Sequence, residues 1–483
     1  MKKLCLLLVL LLVLTGCAQE QPQTAQGSLV SFDVFAINDL HGRFADTKEQ
    51  PGVDELSTYL SHYTGNRILL STGDMWQGTY ESNLTRGFII TEWMNEMGFD
   101  AMTLGGHEFD WGEDWLKENE KLARFPYLGI NIFSRLTNER VDYCQSSITV
   151  EFDGAKIGII GSIGDNYSSI SPEYTKDIYF KVDDEMTQLV KDEAQKLRAE
   201  GADFIIYSVH EGYTKTTDHT EPMKVSDKAI SDYYDAVLSE GYVDLVFEAD
   251  SHYWYLLQDD QGVYHLQGGG NNSGLSHARV MIDTAKGTSQ ILVAELIPNS
   301  EYEYLQSHPV VEELMEKYAD QIAPGTRVLG YNSQYRNGNA ICQLVAQLYC
   351  EKGVEKWGGQ YDIFLGGGYL KCRSPGQLEK GNVTYDQLLS ILPFDNQITL
   401  CSIQGKDLIS KFLETKNDAY HIQTTAYGQV NRNNIDPNGT YYVITDSYSA
   451  YYRYNNMTVI DTYDPDIFAR DLLADYITAG GLT

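Results

Sequence analysis

Residues 31–42 read SFDVFAINDLHG. Phe32, Val34, Phe35, Ala36 and Ile37 make an apolar run of strand-forming residues that breaks at Asn38 and Asp39, so a buried strand is predicted with two polar side chains just past its end. Asp39 and His41 lie two positions apart. Both reach one point only if the chain turns between them, and Gly42 permits such a turn. The same sentence is repeated along the chain: NRILLSTGD ends at Asp74, FDAMTLGGHE at Glu108, AKIGIIGSIGD at Asp165, ADFIIYSVHEG at Gly212 and VDLVFEADSH at His252. Helical stretches such as DDEMTQLVKDEAQKLRAE, residues 183–200, stand between them. Apolar runs feeding polar loops, alternating with helices, predict a layered α/β domain. Open sheets place ligands beyond strand ends, where these polar residues fall.

Upstream, MKKLCLLLVLLLVLTGCAQE opens with two lysines and an apolar core, followed by small residues and Cys17. This predicts an export signal. The core is shorter than the roughly 20 residues of a spanning helix, and the polar QEQPQTAQGS tail reads as a tether. About 460 residues remain after the signal, enough for two domains. The 36 Lys and Arg against 68 Asp and Glu give a net charge of −32, which repels a polyanion and argues against bulk nucleic acid as a partner. A small phosphate ester remains compatible, because bound cations reverse the sign locally. Five of the seven cysteines lie beyond Cys17, namely Cys144, Cys342, Cys350, Cys372 and Cys401, without metal-finger spacing. Export permits disulfides, and sequence does not assign them. No protein partner is inferable.

Downstream, HLQGGGNNSGLSHARVMIDT predicts two strands around a glycine turn, which lacks the Lys-Ser/Thr of a phosphate loop. HPVVEELMEKYADQIAPG predicts an amphipathic helix stopped by Pro-Gly, serving as a connector. A second α/β unit follows: helix NAICQLVAQLYC, strand and turn YDIFLGGGYLK, and helix VTYDQLLSILPF. The tyrosines crowded in SYSAYYRYNN are read mainly as packing and ring-lined surface.

The strand ends of the first domain gather Asp39, His41, Asp74, His107, His210, Asp250 and His252. Carboxylate oxygens with imidazole nitrogens suit Mn, Fe, Zn or a similar divalent ion, and a carboxylate can bridge two. His107 precedes Asp110 by three positions. In a helical turn that spacing puts both on one face, where the carboxylate fixes the imidazole tautomer and raises its pKa.

The order NDLHG, TGDMWQG, GGHEFDWG, a lone strand-end His, and SH, followed by GGGYL and PFDN, resembles the exported 5'-nucleotidase family of the metallophosphoesterase superfamily, from about residue 31 to the chain end. It looks particularly like the lipoprotein branch of Gram-positive bacteria, described as bifunctional 5'-nucleotidase and 2',3'-cyclic phosphodiesterase. The resemblance implies an N-terminal metallophosphoesterase-like α/β/β/α sandwich and a second α/β substrate-binding domain. The expected bounds are a lipoprotein signal over 1–16, a tether over 17–30, a catalytic domain over 31–303, a helical connector over 304–326 and a C-terminal domain over 327–483. Leu14 to Cys17 resembles a lipobox, which implies an acylated Cys17 seated in the bilayer and a protein on the extracellular face of the membrane.

By the same resemblance Asp39, His41, Asp74 and His252 hold a first metal, Asp74 bridges to a second, and His210 belongs to that second ion. The family supplies two more ligands, an Asn before the GGHEFD histidine and a His two positions before His252; this chain has Gly106 and Asp250 there. Asp250 can still coordinate through oxygen, whereas Gly106 reads as a missing ligand. One tight and one weaker divalent metal are therefore expected, drawn from Mn, Zn, Fe or Co. The family gives the His107 and Asp110 pair the stabilisation of the transferring phosphoryl group. Phe394 and Asn396 in LPFDN, with Tyr448 in ITDSYSAYY, match the family's grip on the nucleobase. Where the family has Ile-Arg after its glycines, Tyr369 and Leu370 stand here, leaving Lys371 or Arg373 as the cation; the planar fork of Arg373 suits a phosphate. The expected activity is hydrolysis of nucleoside 5'-monophosphates or related nucleotides by metal-activated water. The alternatives are a 2',3'-cyclic phosphodiesterase or 3'-nucleotidase, a UDP-sugar hydrolase, and a nucleotide-binding lipoprotein impaired by Gly106 and Asp250.

Overall fold

The computed structural model describes residues 28–46, 51–164, 167, 170, 174–212, 223–224, 241–259, 261–373, 375–413, 425–454 and 456–483. The predicted signal, Cys17 and most of the predicted tether lie outside the described residues. Among the described residues no helix is long and apolar enough to cross a membrane.

Two sheets form the N-terminal body. In the first, the Leu29–Ile37 strand runs parallel to Arg67–Ser71, which pairs with Ala101–Thr103, itself paired with Tyr127–Leu128; Gly274–Asp283 and Thr288–Pro298 complete the other, antiparallel edge. The second is built around Ala155–Ile163, Phe204–His210 and Leu245–Phe247, all parallel. The sheets pack face to face through Phe32, Val34, Ala36, Ile68 and Leu70 on one side and Ile157, Ile159, Phe204, Ile206 and Phe247 on the other. Helices cover the outer faces. Leu56, Leu60, Ile89, Trp93 and Met94 seal the first sheet, and Val190, Ala194 and Leu197 of the Asp183–Ala199 helix seal the second. The result is an α/β/β/α sandwich. Coverage on both faces explains why the Leu29–Ile37 strand is buried continuously from Phe32 onward instead of alternating.

The predicted connector is two helices, Pro309–Lys317 and Ala319–Ile322, meeting at Tyr318. Pro309 occupies the first helical position, and the His308 ring accepts from Val310 N. Val311, Leu314, Tyr318 and Ile322 pack into the core of the sandwich, so the segment is seated on the first unit. The C-terminal unit is a five-stranded sheet ordered Thr425–Gly428, Ile363–Gly368, Thr440–Asp446, Ile398–Gln404 and Thr458–Thr462. The Gly338–Trp357 helix closes one face through Ile341, Val345, Leu348 and Tyr349. The Tyr385–Ile391 helix ends just before Leu392-Pro393-Phe394, which carries the chain back to the first unit.

Candidate active site

His210 ends a strand, and Asp39, His41, Asp74, Asp250 and His252 lie in the loops just beyond strand ends. His107 and Asp110 start and cap a short 3-10 helix after Ala101–Thr103; the two sheets bring these loops together. Asp39, His41, Asp74, Asp250 and His252 all have positive φ, between 49° and 66°. This left-handed backbone is uncommon for residues with a Cβ and costs of order 1 kcal/mol or more each. Five such residues in one place mark side chains aimed inward by the surrounding fold.

His41 Nδ1 lies 3.2 Å from the Gln77 carbonyl, which fixes Nδ1 as the protonated nitrogen of a neutral ring. Its Nε2 then faces His252 Nε2 at 3.0 Å, while Asp39 Oδ1 stands 3.3 Å from His252 Nε2. Two ring nitrogens this close need a proton or a cation between them. Burial, then the neighbouring His252 and His107, hold the His41 pKa well below its ordinary value, so this ring is an available lone-pair donor. A second group joins Asp39, Asp74 and His210, and a third His41, Asp74 and His107. His210 Nδ1 lies 2.7 Å from the Thr72 carbonyl, turning Nε2 toward Asp74 Oδ1 at 3.2 Å. Asp74 thus stands between the groups. Burial, with repulsion from Asp39 and Asp74, lifts the Asp250 pKa above the usual carboxylate range. Crowded carboxylates and convergent imidazole nitrogens are the donor set of a divalent cation centre.

Two buried side chains that the sequence placed at strand ends without a role hold this centre. Glu108, 1% exposed, accepts from Asp74 N at 2.9 Å, Met75 N at 2.8 Å and Gly105 N at 2.7 Å, tying together two of the ligand loops. Burial, reinforced by Asp74, pushes its pKa up to about 7. Asn38 donates to Asp39 Oδ2 at 2.7 Å and accepts from Gly268 N at 3.2 Å. Their adjacency to Asp39 and His107 in sequence was the available signal. The predicted glycine turn at 268–270 also provides close backbone approach: a Cβ on Gly270 would lie 2.9 Å from the His252 ring.

The two glycines before His107 differ. A Cβ on Gly105 would come within 2.4 Å of Asp74 Oδ1, so that position admits little else. Gly106 has φ −67° and ψ −41°, helical backbone that any residue adopts. Its lack of a side chain answers no backbone demand.

His107 Nδ1 meets Asp110 Oδ2 at 2.7 Å, and its amide donates to Asp74 Oδ1 at 2.8 Å. Nε2 is left 3.8 Å from Asp74 Oδ2, facing the centre. Burial works against the charged ring, but Asp110 and Asp74 outweigh it and raise the pKa to about 9. A cavity of about 280 Å³ opens from here, lined by Asp74, His107, Asp250, His252, Lys371, Arg373, Phe394, Asn396 and Tyr448. The structure therefore brings the predicted C-terminal residues to the same space as the groups that could hold a cation. The Phe394 ring stacks on His107 with centroids 5.4 Å apart, and the Arg373 guanidinium lies 5.0 Å from the Phe394 centroid. Tyr448 packs against Tyr452 and Tyr369.

No family model matches the chain. It is 24% identical to Protein UshA of Yersinia enterocolitica over 86% of this chain and 83% of that protein. It is 25% identical to a 5'-nucleotidase of Vibrio vulnificus over 84% of this chain and 80% of that protein. Among solved structures, the 5'-nucleotidase precursor of Thermus thermophilus superposes with a TM-score of 0.68 at 17% identity, covering 94% of this chain and 96% of the other.

Proposed function

We propose, for a chain that belongs to the 5'-nucleotidase family of the metallophosphoesterase superfamily, hydrolysis of nucleoside 5'-monophosphates or closely related nucleotides at the Asp74 and His107 centre. The chain is a metal-dependent nucleotide phosphoester hydrolase. One observation carries the reading: the facing His41 and His252 nitrogens, 3.0 Å apart beside Asp39, share a cavity with Phe394, Asn396 and Tyr448. Donors for a cation and rings for a base thus line one space spanning both units.

In this reading Asp39, His41, Asp74 and His252 would hold a first divalent ion. Asp74, His210 and Asp250 would hold a second, weaker one. Such ions supply Lewis acidity toward phosphoryl oxygens and a more acidic water. His107, carrying a proton on Nε2 at neutral pH, donates to an oxygen of the phosphoryl group as charge builds there, with Asp110 fixing the ring. Arg373 and Lys371 neutralise the remaining phosphate charge at the cavity wall. Phe394 and Tyr448 offer ring faces to the base, and Asn396 its hydrogen-bonding edge; stacking contributes roughly 1–3 kcal/mol per base. The domain bounds 31–303 and 327–483, acylation at Cys17 and residence on the outer face of a Gram-positive membrane belong to the same proposal, supported by the sequence pattern.

The test is phosphate release from 5'-, 3'- and 2',3'-cyclic nucleotides and UDP-sugars, with added Mn, Zn, Co or Fe. The reading expects 5'-monophosphates to lead. Strict preference for a cyclic diester or UDP-sugar would reassign the substrate, and nucleotide binding without turnover at any metal would establish an impaired centre.

A further inference from the structure

We propose that Cys342 and Cys372 are a disulfide-forming pair that anchors the Lys371–Arg373 segment to the Gly338–Trp357 helix. Their sulfurs lie 3.7 Å apart although 30 positions separate them in sequence. A disulfide requires about 2.05 Å, so each sulfur needs to move roughly 0.8 Å, within reach of side-chain rotation. Cys342 projects from the first turns of the helix and is 4% exposed. Cys372 sits between Lys371 and Arg373, both of which line cavities that include His107 and His252. Arg373 N already donates to the Ile391 carbonyl at 2.9 Å, so the segment is held from one side. The bond would hold it from the other.

The pair differs from the remaining thiols. Both residues line a groove of about 1000 Å³, and Cys372, half-buried, is the one a disulfide donor can reach. The two sulfurs are within hydrogen-bonding reach, so either thiol can donate to the other as it ionises. Cys342 is as buried as Cys144 and Cys401, so what sets the pair apart is the second sulfur beside it; burial pushes the Cys144 and Cys401 pKa values up to about 12 and about 11. The chemistry is thiol–disulfide exchange with a low-molecular-weight or protein disulfide. The thiolate of the half-buried Cys372 attacks one sulfur of the donor and releases the first donor thiol. Cys342 then loses its proton and attacks the Cys372 sulfur of the mixed disulfide, releasing the second. Two electrons and two protons pass from the cysteine pair to the donor, which leaves as two thiols.

The consequence for substrate rests on the hydrolase reading; the bond itself does not. With Cys372 anchored, Lys371 and Arg373 need less ordering when a phosphate arrives. Opening the bond is expected to raise KM for a nucleotide by about 2- to 10-fold with kcat little changed.

The full chain is equilibrated in oxidised and reduced glutathione, then alkylated under denaturing conditions and mapped by peptide mass. A cross-linked Cys342–Cys372 peptide in the oxidised sample is expected, with Cys144, Cys350 and Cys401 alkylated, and the melting temperature raised by roughly 5–10 °C. Alkylation of both Cys342 and Cys372 after oxidation, or a bond from either of them to another cysteine, overturns the proposal. C342S and C372S should each abolish both the cross-link and the oxidant-dependent melting shift. A cross-link that forms without any change in KM would retain the modification site and remove its link to substrate.

Discussion

At Gly106 the chain keeps a helical backbone yet offers nothing to the centre beside it. Because φ and ψ there suit any residue, Gly106→Asn introduces a donor without the strain that Gly105 would suffer. After dialysis, metal analysis of this variant should rise from about one ion per chain toward two, since an added ligand commonly strengthens a site by about 10- to 100-fold. Two tight ions in the unaltered protein would refute the gapped second site. His107 makes a separate prediction. Its Nδ1 is occupied by Asp110 while Nε2 faces Asp74, so His107→Ala should lower kcat by about 10²- to 10⁴-fold with metal content retained. Metal loss in step with rate would make it a ligand instead.

Among the elements, the strands were readable because each apolar run is broken by a polar pair, and those pairs are the site. The convergent side chains Asp39, His41, Asp74 and His252, which could hold a cation, were therefore visible, as was the α/β layering. Glu108 was not: beside His107 it reads as one more acidic residue, and only folding shows it accepting three amides from two loops. Nor was the break at Tyr318 legible, because apolar periodicity continues through it and the interruption depends on packing against the sandwich. Another such element lies behind the Asp250 loop, where His265 Nδ1 meets Glu248 Oε1 at 2.7 Å. Burial disfavours the His265 imidazolium, but bonds to Asp259 and Glu248 outweigh it and lift the pKa to about 9. A raised histidine stabilises fully below its unfolded value near 6.5, and that contribution is lost as pH rises through about 9. The difference corresponds to about 3 kcal/mol. Melting temperature should thus fall between about pH 7 and pH 9.5. His265→Gln should flatten that decline; an equally steep decline in the variant would assign the titration elsewhere.

For the whole molecule, the decisive contact is where the Phe394 segment meets the first unit. Asp395, 9% exposed, pairs with Arg470 of its own unit and with Arg86 of the sandwich, the latter at 2.5 Å. Arg470 Nη1 also donates to the carbonyls of Pro393 at 3.1 Å and Phe394 at 3.0 Å, fixing the backbone that presents the ring to His107. Asn83 reaches the same Pro393 carbonyl from the first unit at 3.1 Å. These bonds separate two jobs. Asp395→Ala strands the buried Arg470 and should cost about 3–5 kcal/mol, lowering the melting temperature. Arg86, with a third of its side chain exposed, contributes about 1 kcal/mol or less to stability. Its distinctive role is across the units. Arg86→Ala should leave melting nearly unchanged yet loosen the placement of Phe394 against His107, so that kcat/KM falls for a nucleotide and holds for a small aryl phosphate lacking a base. If both substrates suffer equally, Arg86 acts on the metal centre itself; if neither does, the Arg470 bonds alone position Phe394.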